Sequence, residues 1–218
     1  VTLVDLSHTI TDGMVTYPGL PGPTISDFMS RQESRSRYEP PTEFHIGRID
    51  MVSNTGTYLD TPAHRWEDGD DLAELPLEKV AELPGVVIRS PGPDLDVTLV
   101  QGRELGGLAV LFDTGWSKHW GTEAYAPPGH PYVTEPLALA LADAGVALVG
   151  IDSVNIDDIA TGARPAHSIL LEAGIPIVEH LMRLDRLPDE GFRFSAVPAK
   201  VRGLGSFPVR AYASVSET

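Results

Sequence analysis

Glycine and proline interrupt this chain so often that it can fold only as short elements joined by turns. It carries 21 glycines and 19 prolines in 218 residues, and a chain cut that finely is expected to be rich in short strands. Residues 1–6 alternate weakly and read as a first strand. Residues 13–22, with Pro18 and Pro21, read as a loop, and the polar segment 31–41 reads as an exposed excursion or lid. Residues 45–53 read as a strand with mixed faces.

The short apolar runs GVVIR (85–89) and LAVLF (108–112) are candidates for buried strands. A short helical piece is expected at 103–106. Thr134 is expected to cap a helix that runs through Glu135 and Pro136 to Ala144, with Gly145 as its stop. VALVGI (146–151) then returns as a strand, and strand–helix–strand in that order favours a parallel pair. A helix over 167–173 closed by Gly174, a strand at 175–178 and closing strands at 192–197 and 209–213 complete the expectation. With no internal repeat and no long linker, residues 1–218 read as one α/β domain.

Charge and composition narrow the function. The chain has 31 acidic and 16 basic residues, a formal net charge of −15. That field repels phosphate backbones and anionic membranes, so no nucleic acid and no membrane partner is expected, and solubility is the simplest reading of the acidity. No run approaches the roughly 20 apolar residues that a membrane-spanning helix needs. Cysteine is absent, which rules out disulfides, thiolate metal sites and cysteine nucleophiles and fits a cytoplasmic location.

Reactive groups in α/β folds gather at strand ends, and three places here qualify. In residues 53–64, Asp60 and His64 offer a carboxylate and an imidazole suited to a zinc-like ion. An Asx turn at Asp60 with a surface His64 would have the same spacing. Pro62 forces an extended or turn path between the two. The second place joins His167 to Glu179, which ends an apolar strand and must reach either solvent or a partner. The third is Asp152, which either orients a ligand or caps a turn. Of the other histidines, His45 leads into the first segment and is the one expected to approach the site.

At these residues the chain resembles the cyclase/kynurenine-formamidase family of metal-dependent hydrolases. Asp5-Leu6-Ser7-His8, Gly13-Met14 and Tyr17-Pro18-Gly19 follow the family's opening. Asp113-Thr114-Gly115-Trp116, His130-Pro131 and Gly150-Ile151-Asp152-Ser153 fall in family order, as do His167 through Glu179 and the closing Pro208-Val209-Arg210. The likeness implies a swivelling β/β/α-type domain with a central mixed sheet and flanking helices, assembled as a homo-oligomer, dimer or tetramer.

The family signature H-x-G-T-H-x-D-x-P-x-H is only partly kept. Gly56, Thr57, Asp60, Pro62 and His64 are present, whereas Asn54 and Tyr58 replace the first two histidines. The resemblance therefore implies one divalent ion, zinc or manganese, on Asp60, His64, His167 and Glu179 in place of two. An Asn amide and a Tyr phenol are poor substitutes for imidazole.

With metal, the implied activity is hydrolysis of an amide, lactam or formamide C–N bond in a small-molecule substrate. His64 would be a ligand or the proton shuttle, and Tyr58 or Asn54 would donate to the oxyanion. Asn54, Tyr58 and His45 are the expected substrate contacts. Without metal, the same groups suit an acid–base cyclase or dehydratase, with Tyr58 as an added acid. A non-catalytic binding module is the third possibility.

Overall fold

A computed structural model describes residues 1–90, 92–126 and 129–216. In chain order the strands are β1 (Thr2–Asp5), β2 (Thr24–Met29), β3 (Ile46–Asp50), β4 (Tyr58–Asp60), β5 (Leu83–Arg89), β6 (Asp94–Leu95), β7 (Ala109–Asp113), β8 (Tyr132–Val133), β9 (Leu148–Ile151), β10 (Ile177–Glu179), β11 (Glu190–Ser195), β12 (Ser206–Pro208) and β13 (Tyr212–Val215). The α-helices are α1 (Arg31–Ser34), α2 (Glu135–Asp143) and α3 (Pro165–Glu172). Among the described residues no helix is long and apolar enough to cross a membrane.

Nine strands form one mixed sheet in the order β1-β13-β11-β5-β7-β9-β10-β4-β12. Its centre, β5-β7-β9-β10, is parallel, and every pairing outside it is antiparallel. The apolar runs account for that centre. Val86, Val110, Val149 and Ile177 face α2 and α3, packing with Leu137, Leu141, Leu170 and Leu171. Val87, Leu111, Leu148 and Val178 face the opposite side with Leu6, Leu184 and Phe194. Strands buried on both faces read as unbroken apolar runs, which is how LAVLF and VALVGI appear.

β7–α2–β9 is the expected parallel crossover, and β9–α3–β10 is a second one. Several local details differ from the expectation. Residues 103–106 are not helical; the nearby turn of 3₁₀ helix is Val97–Val100, capped by the Asp96 carboxylate. Thr134 stands at the N-cap of α2 but turns its hydroxyl to Leu95 O instead. Helix α3 begins two residues before His167, because Pro165 occupies its first turn without needing an N–H partner.

Among the described residues β3 pairs only with β2, in a separate hairpin sheet, and it is exposed along its whole length rather than on one face. α1 and the polar segment that follows connect these two strands, so the excursion expected at 31–41 is the tip of an outlying hairpin.

Candidate active site

The site lies on the helix-covered face at the β10-β4-β12 end of the sheet, and strand register assembles it. Residues directly opposite in an antiparallel pair share a face. Glu179 lies opposite Tyr58, and Ser206 lies opposite Asp60. Each pair closes a hydrogen bond: the Tyr58 hydroxyl donates to Glu179 Oε2, and the Ser206 hydroxyl donates to Asp60 Oδ1.

Just beyond β4, Pro62 opens a turn of 3₁₀ helix, Pro62–His64, which carries His64 back over Asp60. Gly205 makes room for that turn, since a Cβ there would stand 2.2 Å from the His64 nitrogen. Gly205 O also accepts from Thr61 N at 2.7 Å and so ties β12 to the turn. The Ser206 hydroxyl has one hydrogen, already given to Asp60, so the His64 Nδ1 at 2.8 Å must donate to it. The neutral ring then carries its lone pair on Nε2.

His167 arrives from α3. Asp157, on the loop after β9, accepts from Ala166 N at 2.7 Å and His167 N at 3.0 Å, satisfying the helix N-terminus where Arg164 offers no side-chain cap. The same carboxylate takes the His167 Nδ1–H at 2.6 Å. This fixes the tautomer and turns Nε2 toward Asp60 Oδ2, 3.8 Å away, and Glu179 Oε1, 3.7 Å away.

Electrostatics bind the cluster together. Burial works against charge on His167, but Asp157, Asp60 and Glu179 outweigh it and lift its pKa to about 10, so without an ion Nε2 carries a proton that a bound metal would displace. Burial likewise raises the Asp60 carboxyl, yet the two imidazoles and Ser206 hold it below the usual range. Glu179 is pushed up to about 7, chiefly by burial, with His167 opposing and Asp60 adding to the rise. Burial, with the two carboxylates beside it, raises the Tyr58 phenol well above its ordinary value.

Asp60, His64 and His167 present ligand-type atoms within 4.8 Å of one another. Asp60 Oδ2 is buried without a hydrogen-bond partner. A buried carboxylate oxygen left bare is costly, and a cation beside the His167 nitrogen would satisfy it. The residues present therefore fit a metal ion. Glu179 is close to His167 but already accepts from Tyr58 and from Ile156 N, and it lies outside that three-residue grouping.

A cavity of about 340 Å³ opens onto these groups, walled by Asn54, Tyr58, His64, His167 and Asn155, with Tyr17 and Leu20 across from them. Arg65 and Arg164 complete its rim. A larger cavity of about 710 Å³, between the N-terminal loop and residues 120–126, contains one carboxylate, Glu123, and no histidine. The smaller cavity is thus the one with reactive groups.

The sequence-based site residues are brought together with one exception. Asn54, Tyr58, Asp60, His64, His167 and Glu179 meet, with Asn54 Nδ2 reaching Asp60 Oδ1 at 3.5 Å. His45 does not join them. It hydrogen-bonds Asp27 at 2.7 Å on the exposed hairpin, because its strand pairs away from the main sheet. Trp120 borders the larger cavity, and residues 35–43 border another, so neither segment walls the site. Asp152 caps a turn, accepting from Thr114 and Ser117. The sequence reading missed Ser206, Asp157, Asn155, Arg65 and Arg164. Only Asp157 left a trace, as an acidic residue shortly before a proline-opened helix.

A mixed α/β sheet with a histidine–carboxylate cluster at one end and a small pocket above it defines a metal-type hydrolytic site. Residues 4–158 match the family described as "Putative cyclase", and the chain belongs to that family. It is 28% identical over 209 residues to a kynurenine formamidase of Geobacillus thermodenitrificans, covering 95% of each chain. The fold matches isatin hydrolase A from Labrenzia aggregata, solved with benzyl benzoate, at a TM-score of 0.84 and 25% identity over 99% of this chain and 94% of that one. It also matches a potential metal-dependent hydrolase with cyclase activity at a TM-score of 0.80 and 27% identity, covering 100% and 99% of the two chains.

Proposed function

We propose that the chain is a metal-dependent hydrolase that cleaves the C–N bond of a small aromatic formamide, amide or lactam. The observation that carries this is the unpartnered Asp60 Oδ2, buried opposite the His167 nitrogen beneath the 340 Å³ pocket. The named activities of the relatives, a kynurenine formamidase and an isatin hydrolase, support the reaction class.

Asp60 and His167 would hold the ion, with His64, the third member of the ligand-type grouping, within reach and Glu179 beside them. Zinc or manganese suits such a nitrogen-and-oxygen set. When bound, the ion supplies Lewis-acid polarisation of the scissile carbonyl and of the attacking water. His64 handles the proton. With Nδ1 fixed on Ser206, its Nε2 takes the proton from water and returns it to the leaving nitrogen as the C–N bond breaks. Asn54 donates from its amide to the carbonyl oxygen as charge develops. Tyr58, its hydroxyl committed to Glu179, positions that carboxylate.

Metal analysis of untagged protein tests this reading alongside turnover of aromatic formamides and lactams. About one equivalent of zinc or manganese is expected, lost in Asp60→Ala together with activity. His64→Ala should keep the metal and lose at least 100-fold in kcat, in line with the roughly 10²–10⁴-fold that general acid–base catalysis contributes. Hydrolysis of these compounds by protein that holds no metal, even after incubation with excess ions, would replace the metal-dependent mechanism with acid–base hydrolysis by the histidine–carboxylate cluster alone.

The working form is a homodimer or larger assembly. The β2–β3 hairpin stands apart from the main sheet and exposes Ile25, Phe28, Phe44, Ile46 and Ile49. A strand pair with that much bare apolar surface calls for a partner, and a second copy of the hairpin supplies the same surface.

A further inference from the structure

Two arginines stand at the pocket rim of a chain whose formal net charge is −15. Arg35, Arg89 and Arg210 are each paired with a carboxylate. Arg65 and Arg164 form no ion pair among the described residues.

Both are nonetheless held in place. Arg164 Nη1 lies against three main-chain carbonyls, Asp158 O at 3.2 Å, Thr161 O at 2.8 Å and Ala163 O at 2.6 Å. Its Nε and Nη2 make no hydrogen bond among the described residues, so the edge of the guanidinium that forks onto a carboxylate is uncommitted. Arg65 Nε donates to the Ser168 hydroxyl at 3.2 Å, and that hydroxyl donates to Arg164 O at 2.7 Å. The Arg65 guanidinium lies 4.4 Å above the Trp66 ring. Ser168 thus ties the Arg65 guanidinium to the Arg164 main chain, while the Arg164 guanidinium is held by its own carbonyl contacts, and neither has a counter-charge.

We propose that this rim recognises a carboxylate on the substrate, so that the pocket selects an anionic aromatic amide over its neutral counterpart. The inference rests on the hydrolase reading of the same pocket and adds its substrate class. An ion held by Asp60 and His167 would engage the scissile carbonyl, whereas the two arginines in the pocket lining attract a separate anionic group. A substrate carrying a carboxylate on its ring is therefore oriented with the amide toward the histidine–carboxylate cluster. Arginine suits this task better than lysine because its fork makes two parallel hydrogen bonds to one carboxylate.

Two matched probe pairs test the proposal. Turnover compares 2-formamidobenzoate with 2-formamidobenzamide, and calorimetric binding compares anthranilate with 2-aminobenzamide. The wild-type protein is expected to favour the anion in each pair by about 10- to 100-fold, the range of a charge-assisted contact. Arg164→Met and Arg65→Met should each bring that ratio toward one, and Arg164→Lys should keep part of it.

Equal affinity for anthranilate and 2-aminobenzamide in the wild type would overturn the proposal. So would an anion preference that survives in both methionine variants, since the carboxylate would then be held at the histidine–carboxylate cluster. If no probe is turned over, the hydrolase reading fails, and the binding pair still decides whether the rim recognises carboxylates.

Discussion

Tyr58 and Asn54 decide how many ions the cluster can hold. The Tyr58 phenol is buried, its pKa is raised by that burial and by two carboxylates, and its hydroxyl is given to Glu179. It therefore supplies no phenolate, and Asn54 turns its amide nitrogen toward Asp60. Replacing both, as Tyr58→His with Asn54→His, adds two imidazoles on the Asp60 side of the cluster. Metal analysis after zinc loading should then rise from about one equivalent toward two. An unchanged count would show that backbone placement, not ligand identity, limits the site. The residues that offer ligand atoms were legible in the sequence because Asp, His and Glu at strand ends are few and chemically distinct. Those that orient them were not: Ser206 acts on Asp60 from 146 residues away, across a strand pairing that local pattern does not reveal. Arg164 and Asp157 resemble ordinary surface charges until the loop after β9 folds back on α3.

Elements were legible where their burial is uniform. β7 and β9 are apolar on both faces and announce themselves as unbroken runs, and α2 follows its helix signals even though the Thr134 hydroxyl leaves the helix end for Leu95. The β2–β3 hairpin gave a weaker signal, because its strands mix charged and apolar residues and all of them except Met29 are exposed. Phe28 is 68% exposed and Ile49 57% exposed, values that a single copy in water would not favour for such large side chains. A Phe28→Asp, Ile49→Asp variant is expected to move the species seen by light scattering from twice the chain mass, or a higher multiple, to the single-chain 23.4 kDa. Wild-type protein already at 23.4 kDa would remove the reason for an interface at the hairpin. The same element misled the site reading at His45, because a residue one step ahead of a strand goes wherever that strand pairs.

Across the whole molecule, acid stability depends on histidines that the fold keeps neutral. His8 stacks on Trp120 with ring centroids 3.9 Å apart and planes 7° from parallel, and its Nε2 is buried without a partner. Burial, helped by Arg183, lowers its pKa to about 4. His130 is shifted the same way by burial, its Nδ1 engaged with Ser153 and Pro131 O. In the unfolded chain these rings take up a proton near pH 6.5, whereas folded His8 does so only near 4. Between those values the unfolded state binds more protons, so stability rises with pH and is lost as pH falls from about 6.5 toward 4. Carboxylate protonation in a chain of net charge −15 relaxes self-repulsion over part of the same range and obscures the slope. His8→Phe separates the two effects. It keeps an aromatic ring on Trp120, removes the buried unpartnered nitrogen and leaves the acidic surface unchanged. Its melting temperature relative to wild type should therefore increase steadily from pH 7 to pH 4.5. A constant difference across that range would mean that His8 titrates normally in the folded protein, and the acid sensitivity would then belong to the carboxylates.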